Sequence, residues 1–202
     1  MLIDTYDNLK AAIRSWSERP DIPTDVIEQF IYMTEADASQ QLRVPAMEAA
    51  TLLPVNDGKV TIPFDYLELR RLTYEGSMDS TLQYLPWDQF VTINRDTSGS
   101  PMYYSRQGSN WFIHGEPGDS ESILCHYYRF VPALTSTLDD NWLLSVSPQV
   151  YLYGSLKYLY EYTFDNERAA YWGDKFMKEL NKLQAIADLA EHRGSSLSVK
   201  SL

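Results

Sequence analysis

The spacing of the apolar residues changes twice along this chain, and that change is what most restricts its fold. In residues 1–45 apolar side chains recur every three or four positions, which lines one face of an α-helix. In residues 46–134 they fall into short runs separated by turn-forming residues, as in strands joined by tight turns. In residues 135–194 the helical spacing returns. This order predicts an α+β fold: terminal helices form a small helical bundle, with an inserted antiparallel β-region, a small sheet or partial barrel, in the middle.

Two helices are expected in the first 45 residues. The first ends at Arg19-Pro20, and the second opens at Pro23-Thr24 and stops before Pro45. The apolar face of the first is Tyr6, Leu9, Ile13 and Trp16. The apolar face of the second is Ile27, Phe30, Ile31, Thr34, Ala38 and Leu42.

Three further helices are expected after residue 135. Asn141 is suited to cap a short one, and Pro148 suits the first turn of the next. Asp165 or Asn166 caps a longer helix, which Gly194 closes. The apolar face of that last helix is Ala169, Trp172, Phe176, Leu180, Leu183, Ala187 and Ala190.

Between the helical parts, seven short runs are predicted to be strands. They are 47–53, 59–62, 66–74, 82–85, 101–105, 111–114 and 122–130. Asn56-Asp57-Gly58 predicts a hairpin-type turn between the first two, because these residues tolerate positive φ. Residues 86–93 are expected to form a short helix, and 94–100 a loop.

The segment "PQVYLYGSLKYLYEY" (148–162) carries five tyrosines on one predicted helix. Three interpretations are open: a packed core helix, a surface on which a ligand stacks, or a contact face for another copy of the chain. At about 100° per residue, three leucines form a central stripe between two aromatic edges. The stripe is Leu152, Leu156 and Leu159; one edge is Tyr151, Tyr158 and Tyr162; the other is Tyr153, Tyr160 and Phe164; Gly154, Lys157 and Glu161 fill the narrow remaining wedge. An apolar arc this wide predicts that the edge of Tyr151, Tyr158 and Tyr162 faces outward and contacts another molecule.

No local pattern points to catalysis, a cofactor or a metal. His114, His126 and His192 have no metal-ligand spacing, and no phosphate-binding glycine loop or nucleophile elbow occurs. The single cysteine, Cys125, is expected to be a small buried hydrophobe, and it excludes an internal disulfide. We therefore predict that the protein is not an enzyme and carries no cofactor.

Charge and aromatic content narrow the remaining function classes. A net charge of −11 argues against a protein that grips a nucleic-acid backbone, which requires a basic face. The 15 Tyr and 5 Trp are typical of interaction surfaces but also of sheets. A small carbohydrate- or ligand-binding module using strand aromatics such as Trp111 is the alternative hypothesis. A hydrolase built on distant acids such as Asp65 and Asp139 ranks last.

Nothing in the sequence predicts a secretory signal or a membrane span, so no membrane partner is expected. The first residues carry acids where a secretory signal carries basic residues, and no stretch approaches the length of a bilayer-spanning segment. The final residues, 195–202, are rich in Ser and interrupted by apolar side chains. They are interpreted either as a frayed terminus or as a flexible docking peptide.

In the order of its segments, the chain resembles the adaptor, or head-to-tail connector, proteins of tailed bacteriophages, over residues 22–200. The segments that carry the resemblance are "LRVPAMEA", "VTIPFDYLELRRLTY", "PMYY", "HYYRFVPAL", "NWLLSVSPQVYLYGSLKYLYEY" and "DNERAAYW". None is specific alone, and it is their order and spacing that match.

The resemblance implies a structural virion protein at the head–tail junction, assembled in the host cytoplasm. In that family a homo-oligomeric ring, usually of twelve copies, binds the portal protein at the capsid vertex and a downstream tail protein, the nozzle or tail tube. The genome is packaged and ejected through the ring, and the DNA passes without sequence-specific binding. By the same resemblance, residues 195–202 form an extended tail that docks on the portal through Leu197, Val199, Lys200 and Leu202. The tyrosine edge of Tyr151, Tyr158 and Tyr162 would face a neighbouring copy or the portal.

Overall fold

The computed structural model describes residues 2–75, 80–93, 101–115 and 122–194, with side chains described up to residue 190. It combines helices with antiparallel and mixed sheets, which confirms the predicted α+β class. The chain divides into two compact units. The helical unit contains residues 1–47 and 130–202, and the strand unit contains residues 48–129.

The helices form where apolar periodicity and capping residues predicted them. They are α1 (Tyr6–Ser17), α2 (Thr24–Gln41), α3 (Trp87–Phe90), α4 (Trp142–Val146), α5 (Pro148–Tyr162) and α6 (Asn166–Gly194), with a 3-10 turn at Pro45–Met47. The strands are β1 (Glu48–Pro54), β2 (Lys59–Thr61), β3 (Tyr66–Glu75), β4 (Ser80–Thr81), β5 (Gln83–Tyr84), β6 (Tyr103–Gln107), β7 (Asn110–Ile113) and β8 (Ser122–Arg129).

Side-chain caps explain where three of the helices begin. The Thr5 hydroxyl accepts a hydrogen bond from the Asn8 amide at 3.2 Å, at the start of α1. Asn141 Oδ1 accepts from the amide of Leu144 at 2.9 Å, which caps α4 as predicted. Each cap satisfies a backbone donor that has no partner inside the first turn.

Asp165 caps α6, and Pro148 opens α5. Asp165 Oδ1 accepts from the amide of Arg168 at 3.1 Å. Pro148 occupies the first turn of α5, as the sequence predicts, because that position needs no intrahelical donor. The long tyrosine helix and its successor therefore form an antiparallel hairpin with well-defined ends.

The tyrosine helix α5 lies at the centre of the helical unit, where it contacts α1, α2, α4 and α6. Gly154 allows this close packing. A Cβ at this position would lie 2.4 Å from Thr34 Cγ2 on α2 and 3.0 Å from the Phe176 ring on α6. Both neighbouring helices therefore cover the side of α5 that carries Gly154.

The strands form two four-stranded sheets. The first has the order β1-β8-β3-β4 and is antiparallel, whereas the second has the order β2-β7-β6-β5 and contains one parallel pair, β5 with β6. Buried side chains from both sheets form one core, which includes Trp111, Leu72, Ile123 and Cys125.

The predicted turn at Asn56–Gly58 is present, but it joins the two sheets rather than two strands of one. Asn56 and Lys59 exchange backbone hydrogen bonds of 2.9 and 3.0 Å, and Asp57 and Gly58 have φ of 51° and 66°. Past this single bridge, β1 pairs with β8 and β2 pairs with β7. A hairpin signal identifies the turn, but it does not determine how far the flanking strands stay paired.

Candidate interaction surfaces

The titratable residues do not assemble into a metal-binding cluster within the described ranges. There, no group of three or more His, Cys, Asp or Glu side chains lies close enough to hold a metal ion. Cys125 is buried, as predicted, and burial raises the pKa of its thiol to about 12. At neutral pH the thiol stays protonated and is a poor nucleophile.

Two of the three histidines have described side chains, and neither belongs to a metal-capable group among the described residues. His114 is 8% exposed, with its ring 6.1 Å from the rings of Phe90 and Tyr103. His126 is half-buried on β8, and the side chain of His192 lies outside the described residues.

No helix among the described residues has the length and apolar character required to cross a bilayer.

Trp111, the strand aromatic that the ligand-binding alternative singles out, is not exposed for ligand stacking. Trp111 is 1% exposed and packs edge-on against Tyr66 at a centroid distance of 5.3 Å. Tyr127 is also buried, and its hydroxyl donates to Asp65 at 2.8 Å. Asp65 therefore takes part in a contact within the strand unit, whereas Asp139 belongs to the helical unit.

In the helical unit, α2 holds the segment between residues 130 and 141 by buried polar contacts. Ser39 Oγ accepts from the amide of Val131 at 3.0 Å, and Glu35 Oε1 accepts from the amide of Leu134 at 2.8 Å. Glu35 is only 4% exposed. Because the segment has no regular secondary structure, these side chains supply partners that its backbone would otherwise lack.

Tyr151 completes this buried network and does not face outward. Its ring is fully buried, its hydroxyl donates to Glu35 Oε1 at 3.0 Å, and Asn141 Nδ2 donates to the same hydroxyl at 2.6 Å. The prediction that Tyr151 faces outward is therefore wrong, because its hydroxyl is hydrogen-bonded to the buried Glu35 carboxyl of α2. Burial, and then the nearby Glu35 charge, raise the pKa of Tyr151.

Burial also dominates the titration of Glu35 itself. It raises the pKa of this carboxyl from its usual 4.5 to about 7, although hydrogen bonds from the Leu134 amide and the Tyr151 hydroxyl act in the opposite direction. A carboxyl that is close to half-protonated at neutral pH thus lies under the segment that follows the strand unit in the chain.

The other two tyrosines of the predicted edge are more accessible. Tyr158 is half-buried, and its hydroxyl donates to Asp37 Oδ2 at 2.6 Å. Burial and this hydrogen bond raise the pKa of Tyr158. Tyr162 is 57% exposed, and its ring lies 5.7 Å from that of Phe30. An interface role for Tyr158 and Tyr162 stays a prediction.

Beside Tyr162, the junction between α5 and α6 presents a second aromatic ring. Phe164 is 90% exposed and has φ of 59°, a left-handed conformation in which glycine is favoured over residues with a Cβ. Because α5 ends at Tyr162, Phe164 does not lie on the helical edge predicted for it. We call Glu161, Tyr162 and Phe164 the helix corner.

A larger aromatic surface, the aromatic cluster, lies where α1, α5 and α6 meet. It consists of Trp16, Tyr153, Tyr171 and Trp172, with the Lys175 ammonium 5.1 Å from the Tyr171 ring centroid and 5.8 Å from that of Tyr153. The Trp172 ring lies 5.9 Å from Trp16, 5.4 Å from Tyr153 and 5.1 Å from Tyr171. Trp16 and Tyr171 are more than half exposed.

The apolar spacing of the sequence missed this surface, because it assigned Trp16 and Trp172 to buried helix faces. Trp16 lies next to the end of α1, and Trp172 is half-buried beside it. The available signal was composition: Trp and Tyr rings concentrate at interaction surfaces. The predicted docking residues Leu197, Val199, Lys200 and Leu202 lie outside the described residues.

Comparison with known proteins gives one positive result. A family model described as SU10 adaptor protein matches residues 4–199. A search of curated proteins found no match.

Proposed function

The chain belongs to the SU10 adaptor protein family of phage head–tail adaptors, and we propose that it forms a ring between the portal and the tail. In this proposal the ring, of about twelve copies as the family resemblance implies, binds the portal protein on one side. A nozzle or tail-tube protein binds on the other side. The genome is packaged and later ejected through the central channel.

The observation that carries this proposal is the extent of the family match. Residues 4–199 include every helix and strand of both the helical and the strand units, so the match covers the whole fold and not a shared fragment. The exposed aromatic rings of the helical unit support an assembly role, since large aromatic side chains are enriched at protein interfaces. Tyr158 and Tyr162 are proposed to face a neighbouring copy or the portal.

The charge of the chain supports conduction of DNA without tight binding. With a net charge of −11, the channel wall of a ring would on balance repel phosphate, so a duplex would slide through and not adhere. Attachment to the portal is proposed to reside in residues 195–202, with Leu197 and Val199 as apolar anchors and Lys200 and Leu202 beside them.

Co-expression with the portal protein of the same phage tests the proposal. We expect negative-stain images to show an added ring on the portal, and deletion of 195–202 to weaken attachment while circular dichroism stays unchanged. The double substitution Leu197→Ser with Val199→Ser should reproduce the loss, whereas Ser196→Ala with Ser198→Ala should not. Absence of any ring on the portal would refute the adaptor role, and undiminished attachment of the deletion variant would refute docking through the tail.

A further inference from the structure

The aromatic cluster and the helix corner lie on opposite sides of α5. Tyr153 in the cluster and Tyr162 in the corner are nine residues apart on one continuous helix. Nine residues correspond to about 900°, two full turns and a half-turn, and to a rise of about 14 Å. Tyr153 accordingly packs between Trp16 and Trp172, whereas Tyr162 packs beside Phe30 of α2. One copy of the chain therefore carries two different exposed aromatic surfaces that point away from each other.

The two surfaces also carry opposite charges that find no ion-pair partner within the described residues. Lys175 lies over two rings of the aromatic cluster, and Glu161 is exposed at the helix corner. Neither side chain forms an ion pair with a described residue, although Lys157, close to Glu161 in sequence, pairs with Asp37. Their charges are complementary if the corner of one copy meets the cluster of another.

The left-handed backbone of Phe164 closes the end of α5, where the amides of Phe164 and Asp165 donate to the carbonyls of Glu161 and Tyr160 at 3.1 and 2.9 Å, and it places the ring on the outside of the protomer. A left-handed backbone is unfavourable for a residue with a Cβ, and at this helix end it is accompanied by those two capping hydrogen bonds. Phe164 gains no compensating burial in the protomer, because its side chain is 90% exposed. A large apolar ring held in this way is suited to enter a surface on a partner.

We propose that the helix corner of one copy docks on the aromatic cluster of the next, with Glu161 facing Lys175. Because the two surfaces differ, the contact is heterologous, and repetition around an axis closes a ring. This inference rests on the proposed ring assembly and specifies which surfaces form it. The occupant is a second copy of this chain, which supplies both the apolar rings and the carboxylate that the cluster lacks.

Cysteine cross-linking tests the contact directly. The chain has a single natural cysteine, and it is buried with a raised thiol pKa, so engineered thiols react selectively. The Lys175→Cys and Glu161→Cys variants are prepared separately, and each variant and their mixture are oxidised. The oxidation is done both at high protein concentration and after co-expression with the portal. We expect disulfide-linked dimers only in the mixture, and a ladder of larger species from the double variant.

Two results would overturn this inference. Dimers from either single variant alone would indicate a symmetric contact, and absence of mixed dimers in both settings would exclude the docking. The cross-linking result can be distinguished from the test of the adaptor role. Mixed dimers without portal binding would refute the proposed function only. A portal-bound ring without mixed dimers would refute only this contact.

Charge reversal gives a second readout of the same contact. We expect Lys175→Glu and Glu161→Lys each to weaken self-association about tenfold, measured by sedimentation, since each places like charges opposite one another. The combined variant should recover most of that loss. Lys59→Glu, on the strand unit, changes the net charge by the same amount as Lys175→Glu and should have no effect. Failure of the combined variant to recover association would show that the two side chains do not meet.

Discussion

Replacing Glu35 with Gln should remove a pH-dependent part of the stability of the helical unit. The pKa of Glu35 rises from 4.5 to about 7 on folding, so the folded state binds this proton more tightly than the unfolded chain does. The stabilisation is complete below pH 4.5 and is lost as the pH rises through about 7. At about 1.36 kcal/mol per pKa unit the whole effect is about 3 kcal/mol, of which about 2 kcal/mol falls between about pH 5.5 and about pH 8.

Urea unfolding followed by far-UV circular dichroism measures this effect when wild type and Glu35→Gln are compared at several pH values in that window. Gln keeps the volume of Glu35 and an oxygen that can accept from the Leu134 amide, but it does not titrate. We expect wild type to lose about 2 kcal/mol relative to the variant from the acidic to the alkaline end of the window.

Glu28→Gln on the same helix, where Glu28 pairs with Lys10 at the surface, serves as the control and should show no such change. Parallel stability curves for wild type and Glu35→Gln would refute the argument that burial controls this carboxyl.

Two further predictions concern backbone positions. Gly154→Ala should destabilise the protein by about 2–3 kcal/mol in urea unfolding, because the new Cβ would overlap Thr34 and press on Phe176. Gly173→Ala is the matched control, because its Cβ would meet only the Lys157 side chain, at 3.9 Å. We expect this variant to gain about 0.5–1 kcal/mol in free energy of unfolding. An equal loss of stability in both variants would contradict the packing argument. Phe164→Gly should stabilise the protomer by about 1 kcal/mol in the same assay, because glycine adopts the left-handed backbone without strain. The same variant should weaken self-association in sedimentation. Loss of protomer stability would show that the ring stabilises the protomer's own fold.

The local features of the fold were accessible from the sequence because each depends on neighbours along the chain. The apolar spacing located the helices, and Asn141, Pro148 and Asp165 marked where three of them begin. Cys125 was correctly assigned to a buried position on a strand. The turn at Asn56–Gly58 was also identified, because positive φ is a property of those residue types.

The candidate surfaces were less accessible, because a helical wheel reports which residues share an edge but not which edge is covered. The wheel grouped Tyr151, Tyr158 and Tyr162 correctly on one edge. The structure divides that edge: Tyr151 is buried against Glu35, and Tyr162 is exposed beside Phe30. The aromatic cluster unites Trp16 with Tyr153 and Trp172, which are far apart in sequence, so no local spacing could have revealed it.

The sequence by itself determined the α+β class, the order of helices and strands, and the likeness to phage adaptors, because periodicity, capping and segment order are all properties of the linear chain. The tertiary structure alone decided that Gly154 is enclosed by α2 and α6, that β1 and β2 join different sheets, and that aromatic rings emerge on two opposite sides of α5. These outcomes depend on which distant segments cover a given face. Burial and the hydrogen-bonding requirements of groups such as Glu35 determine which segments pack there. Both depend on contacts between residues that are far apart in the sequence.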